Sequence, residues 1–306
     1  MVYDRAAVQK ALEGRPGTPR EGQTTLWSLS PGTQTATVSL PPTPLNGKAR
    51  LLAGSAVGSG EPGYLLNTPR TTAFASLVPS APVEHIAGAP VAVAAARPGS
   101  RMLALGYTTS GQDGWCLAQA DIDGIDKTAL TPAGPPIRAV AYSPDGTQLA
   151  YVREHARGDR RIYVMPWDGS DTGGACVAQG DLQIGAQPFA SDGSALAYAR
   201  TDVSGASNIA VVRRAAGGWS QTACESVELG VGSHPLWHPE AACLIVCAPD
   251  HAGRSQLWRL PLDRSAPREQ LTFLGTGIRP GAVLSTDGAY ALAPVPNAPT
   301  LAIVSL

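Results

Sequence analysis

Short apolar runs alternate with tight polar turns along most of the chain. The clearest instance is Ala139 to Arg153, AVAYSPDGTQLAYVR: an apolar stretch, the turn signal Ser143-Pro144-Asp145-Gly146, and a second apolar stretch. Apolar runs of this length bounded by Pro, Asp and Gly predict β-strands joined by a hairpin. Helical periodicity is nearly absent. Its one occurrence is Asp4 to Gly14, where Asp4 can cap, Val8, Ala11 and Leu12 share a face and Gly14 stops the run, so one short N-terminal helix is expected.

The hairpin recurs. YSPDGTQLAYVR (142–153) is echoed by FASDGSALAYAR (189–200), 47 residues later, and by LSTDGAYALAPV (284–295). WHPEAACLIVCA (237–248) is a copy that has lost its Asp-Gly, ARPGSRMLALGY (96–107) is another, and PLNGKARLLAGS (44–55) is the weakest. A second landmark keeps phase: ALT ends at Thr131 and QLT at Thr272, 141 residues apart, three times 47. A third apolar element precedes it, as in IYVMPWDGS (162–170) and LWRLPLDRS (257–265). Each unit therefore reads strand, Asp-Gly turn, strand, loop, strand, turn, strand. Four short strands per unit of about 40 to 50 residues predict an all-β fold, a β-propeller with four-stranded blades.

Six copies predict six blades, over about 31–84, 85–131, 132–178, 179–225, 226–272 and 273–306, in a single domain spanning 24–306 after an extension over 1–23. The last copy shows three strands, and an unpaired blade edge is a liability. The segment TTLWSLS (24–30) offers a spare strand, expected to complete the last blade and close the ring.

The run Tyr142-Ser143-Pro144-Asp145-Gly146, then Ile162-Tyr163-Val164-Met165, then Asp168-Gly169 resembles the TolB-like propeller repeat. The resemblance covers about 85% of the chain, from near Thr35 onward. It implies a six-bladed propeller and says little about chemistry. The first copy departs most from the pattern, and there is no room for the extra N-terminal α/β domain of TolB itself.

The turn residues have architectural reasons to recur. Gly146, Gly193 and Gly288 allow positive φ, while Asp145, Asp192 and Asp287 can bond nearby backbone amides. A catalytic group would appear once, not once per blade. Composition narrows the remaining classes. A formal net charge of −1 lacks the basic footprint of a nucleic-acid binder. No apolar run approaches the roughly 20 residues of a membrane span. MVYDRAAVQKALEGRPG lacks the apolar core of a secretion signal, so a cytosolic protein is expected, or a periplasmic or secreted one if a signal has been removed. Five cysteines without a CxxC pair predict buried thiols in a reducing compartment and no zinc site. Cys243 and Cys247 share one strand face, too far apart to bond.

Other motifs dissolve on inspection. DIDGIDK (121–127) has a calcium-like look without a distal Glu, and in register it is a hairpin turn. His234 and His238 of HPLWH would lie about 13 Å apart on a strand, so they cannot share a metal. No G-x-S-x-G nucleophile elbow and no P-loop occur. Neither metal nor cofactor is expected, and no catalytic residue is assigned.

What remains is a set of polar residues five to eight positions before the turn of their units: Arg138, Gln187, His234 and Arg279. Facing the channel mouth, they would make a partly cationic lip suited to a carboxylate, a phosphate or an acidic peptide end. The expected function is a binding module for a peptide, a protein partner or a small anion, with no nucleic-acid partner and no membrane insertion. The alternatives are a propeller enzyme (lyase, hydrolase or cyclase) working at the same mouth with His234 as acid–base, and a structural subunit of a larger assembly.

Overall fold

The structure is a computed structural model. It describes the backbone of six strands upstream of residue 88, and residues 91–306 apart from 109–113, 122–126, 172, 217, 226–228, 231, 240–241, 263–265, 285–287, 289 and 297–300. The expected helix over 4–14, the turn residue Asp287 and the centre of DIDGIDK lie outside the described residues.

Every described element is a β-strand. β1 (Thr25–Trp27) and β2 (Thr37–Ser39) form a two-stranded sheet. β3 (Arg50–Val57), β4 (Glu61–Asn67), β5 (Thr72–Ser76) and β6 (Glu84–Ala87) form a four-stranded meander, as do β7 (Val91–Ala96), β8 (Met102–Thr108), β9 (Trp115–Asp121) and β10 (Lys127–Ala129). A seven-stranded sheet follows: β11 (Ile137–Tyr142), β12 (Gln148–Ala156), β13 (Asp159–Pro166), β14 (Ala175–Gln183), β15 (Ala195–Thr201), β16 (Ser207–Ala215) and β17 (Gly218–Glu225). Then come β18 (Leu236–Trp237), β19 (Cys243–Pro249), β20 (Ser255–Pro261) and β21 (Glu269–Gln270), and a last sheet of β22 (Val283–Leu284), β23 (Tyr290–Pro294) and β24 (Leu301–Ser305). Among the described residues β24 pairs with β23 alone, and β1 with β2.

The seven-stranded sheet is two repeat units sharing one strand. The first part of β14 pairs with β13, Val164 opposite Ala175 and Arg160 opposite Gly180. Its last three residues pair with β15, Asp181 opposite Thr201 and Gln183 opposite Ala199. The chain thus runs from the outermost strand of one unit straight into the innermost strand of the next. The expected boundary at 178/179 therefore falls inside a strand, and the one at 84/85 falls inside β6.

The second strands of three successive units are buried on both faces, at Leu149 to Arg153, Ala195 to Ala199 and Cys243 to Ala248. A sheet wet on one side would alternate buried with exposed. Here period two decides which neighbour a residue meets. Leu196 and Tyr198 pack with Ala150, Val152 and Ile162 of the preceding unit. Ala195, Ala197 and Ala199 pack with Trp237, Leu244 and Val246 of the following one. Small side chains on one face thus receive large ones from the next, and the sheets stack side by side. Tyr142, Phe189, Trp237 and Leu284 hold one register position, opposite Leu149, Leu196, Leu244 and Ala291.

The threonine of the LT landmark has one repeated task. Thr131 Oγ1 accepts from Leu117 N–H at 3.1 Å and Thr272 Oγ1 from Leu257 N–H at 2.9 Å. Arg153 joins the first of these. Buried, it donates to Thr131 Oγ1, Pro132 O, Pro135 O and Trp115 O at 2.8–3.2 Å, and so ties its unit to the preceding one.

The Asp-Gly turns are built as the sequence predicts. Asp145 accepts from Ser143 Oγ, Thr147 N–H and Thr147 Oγ1, and Asp192 from Ser194 N–H and Oγ. Gly146, Gly193 and Gly288 have φ of 69°, 68° and 69°. Each is also covered by a side chain of the preceding unit. A Cβ built at Gly146 would lie 3.1 Å from Arg97 Nε, at Gly193 3.2 Å from Gln148 Nε2, and at Gly288 2.7 Å from His238 Cε1. Arg97 Nε donates to Gly146 O at 2.9 Å while its guanidinium stacks on Trp167.

Cys116, Cys243 and Cys247 are buried free thiols, as expected. Cys176 is a correction: it is exposed, because it sits on β14 in the outermost part of its unit, where the strand faces water.

Candidate functional site

In the described units the turn between the first and second strands, Asp-Gly in three of them, lies at one end of the sheet. At the other end lie the start of the first strand, the hairpin between the second and third strands, and the crossing into the next unit. The four expected site residues all belong to this second end, but not at equivalent places. Arg138 stands four positions before Tyr142, Gln187 two before Phe189, His234 three before Trp237 and Arg279 five before Leu284.

Arg138 is half-exposed on β11. Its Nε donates to Glu154 Oε2 at 2.6 Å, and its Nη2 pairs with the same oxygen. The other Glu154 oxygen meets Arg160 Nε at 3.3 Å. Arg160 Nη1 in turn lies 3.5 Å from Asp181 Oδ1 and 3.5 Å from Leu182 O, on the crossing strand β14. An alternating chain of charges, Arg138–Glu154–Arg160–Asp181, therefore crosses from one unit to the next. The hydrogen bond from Arg138, backed by the charges of Arg138 and Arg160, holds the Glu154 carboxyl below its usual range.

His234 rests on the same crossing segment. A Cβ at Gly185 would lie 3.2 Å from His234 Cβ and 3.1 Å from Pro235 O, so the absence of a side chain at Gly185 is what lets the two strands approach. Gly185 is three residues beyond Leu182, the acceptor of Arg160. His234 Nδ1 is buried without a hydrogen-bond partner. Burial first, and the charge of Arg160 second, lower the imidazole's pKa and favour the neutral ring.

Gln187 has a different role. Its Nε2 donates to Leu284 O at 3.2 Å, its Oε1 accepts from Leu284 N–H at 2.8 Å, and its own carbonyl accepts from Trp237 N–H at 2.9 Å. It is a strut tying the first strands of three units. Arg279 is exposed just before β22, and its backbone N–H donates to Pro294 O at 2.6 Å.

The structure thus links Arg138 to the surroundings of His234 through three residues that sequence reasoning passed over: Glu154, Arg160 and Asp181. The hairpin REHARGDRR (153–161) carried the signal in its density of charge. It reads as a plain connection until the antiparallel pairing of β12 with β13 brings Glu154 opposite Arg160.

Among the described residues no helix is long and apolar enough to cross a membrane. A scan against protein-family models finds no match, and neither does a sequence comparison with curated proteins. Solved structures do match. The chain is similar to a putative TolB from Agrobacterium tumefaciens (17% identity, 79% of this chain and 87% of that one, TM-score 0.54). It is similar to an oligogalacturonate lyase in complex with manganese (13%, 91% and 80%, TM-score 0.59). The β-propeller domain of the trilobed protease from Pyrococcus furiosus also matches (13%, 70% and 68%, TM-score 0.50). At these identities the likeness is one of fold: the chain has a TolB-like β-propeller fold.

Proposed function

We propose that this propeller is a binding module, six-bladed as the repeat count implies, whose strand-start end receives a peptide, a protein partner or a small anion. The observation that carries the reading is the charge chain Arg138–Glu154–Arg160–Asp181, set beside an imidazole whose buried nitrogen has no partner. Buried polar atoms in native proteins are normally satisfied, by protein, water or ligand. At the Asp-Gly end, by contrast, the carboxylates of Asp145 and Asp192 are engaged by their own turns, and Gly146, Gly193 and Gly288 are covered by the preceding unit. Fold alone supports no chemistry, since its bearers include both binding proteins and enzymes.

The test is a thermal-shift screen of the full chain with peptides and small anions, repeated on Arg138→Ala/Arg160→Ala. Ligands that raise the wild-type melting temperature are expected to lose their effect on the variant. Undiminished shifts in the variant would place the binding elsewhere. The second reading, an enzyme at the same end, is favoured by the neutral His234 beside a guanidinium, an arrangement able to accept a proton. It predicts turnover that His234→Gln abolishes with binding retained.

A further inference from the structure

We propose that Arg200 receives an extended, proline-bearing segment of a partner protein, which rests on the binding-module reading and chooses the peptide class among its ligands. The repeat itself supplies the template. Leu149-Ala150-Tyr151-Val152-Arg153 returns 47 residues later as Leu196-Ala197-Tyr198-Ala199-Arg200. Leu149 and Leu196 hold the same register place, opposite Tyr142 and Phe189. Arg153 and Arg200 therefore stand at equivalent points of their second strands, toward the strand-start end. By period two each faces its preceding unit. Leu149 and Tyr151 pack with Ala104 and Leu117, and Leu196 and Tyr198 with Val152 and Ile162. Tyr198, buried like Tyr151, gives Arg200 the same floor.

The two arginines differ in what they meet. Arg153 is buried, and its four acceptors, Trp115 O, Thr131 Oγ1, Pro132 O and Pro135 O, are all neutral. Three of them belong to LTPAGPP (130–136), the irregular crossing from β10 to β11. Arg200 is exposed, and its guanidinium makes no hydrogen bond or ion pair among the described residues. The cause is the crossing into its unit. That crossing is made inside β14, where Gly180 pairs with Arg160 and Asp181 already pairs with Thr201, so no loop is left over to reach the arginine. The fold does not require an arginine there, since the same place is Tyr107 in the unit of β7–β10 and Ala248 in that of β18–β21. What Arg153 holds thus indicates what Arg200 is open to. A guanidinium offers donors and no acceptor. Proline brings a carbonyl and no N–H, so a proline-bearing segment presents acceptors without a competing donor, and its preset extended shape leaves little entropy to lose on docking.

The chain's own crossing segment is the probe. The full-length protein is titrated by calorimetry with the peptide LTPAGPP, acetylated and amidated so that it carries no charge, with the same peptide bearing glycine in place of its prolines, and with acetate. The capped proline peptide is expected to bind saturably, and the glycine version more weakly. Arg200→Ala should weaken the proline peptide about ten- to hundredfold, the loss of hydrogen bonds to a charged group. Arg200→Lys should not restore it, because an ammonium lacks the planar fork. Equal binding of the proline peptide to wild type and Arg200→Ala would overturn the proposal. So would acetate binding through Arg200 while the capped peptide does not bind. In either case other ligands held at the strand-start end would leave the binding module standing. If neither peptides nor anions bind at that end, both fall.

Discussion

At the scale of the residue, one glycine does two things that separate measurements can tell apart. Gly146 has φ of 69° and carries Arg97 on its open side, whereas Gly158 has φ of 79° with nothing within 4 Å of a built Cβ. Gly158→Ala is therefore a measure of backbone cost alone, about 1 kcal/mol. Gly146→Ala should cost more, about 2–3 kcal/mol, since Arg97 must also move; urea unfolding of both variants gives the difference. His234 sets a pH dependence of its own. Its pKa is lower folded than unfolded, so the unfolded chain binds the proton more readily and stability falls as pH drops through the unfolded value of 6.5. Melting scans should show this loss between about pH 7 and pH 5, and His234→Gln should flatten it. The Asp-Gly carboxylates act in a different window. Hydrogen bonds from Ser194 hold Asp192 low; for Asp145 burial opposes, but bonds from Ser143 and Thr147 prevail. Both release stability only at more acid pH, as the carboxyls become protonated.

At the scale of the element, period two assigns each strand residue to one neighbour or the other. Ala197 meets Trp237 and Val246, with no room left for a longer side chain. Ala197→Leu should destabilise by about 1–3 kcal/mol through overpacking, while Val203→Leu, at a fully exposed hairpin tip, should change nothing measurable in the same denaturant titration. The strands and their turns were legible in the sequence because they rest on local signals: Asp-Gly at fixed spacing, apolar runs on either side, Thr131 and Thr272 in phase. The site was legible only in part. Arg138 and His234 could be picked out as polar residues at strand starts. Their connection could not, since it runs through a cross-strand pair, Glu154 with Arg160, and through a strand shared by two units. Gln187 looked like a ligand group for the same reason: its partner, the backbone of Leu284, is 97 residues away. Nothing local announces such a contact.

At the scale of the whole molecule, a propeller is held by the interfaces between its sheets, and a ring closed by both chain ends would be weakest where they meet. Closure of the last sheet by residues 24–30 is the arrangement that would remove the free edge of β24. Deleting residues 1–31 should then lower the melting temperature by several degrees and promote association through that edge; a deletion variant as stable and monomeric as the full chain would refute the closure. The covered glycines add something else. Arg97 reaches forward to Gly146, Gln148 to Gly193 and His238 to Gly288. The reaching side chain always comes from the earlier unit and the receiving turn from the later one. The succession of sheets therefore has a sense of direction. A chain emerging from the ribosome N-terminus first has each of these three covering side chains made before the turn that receives it.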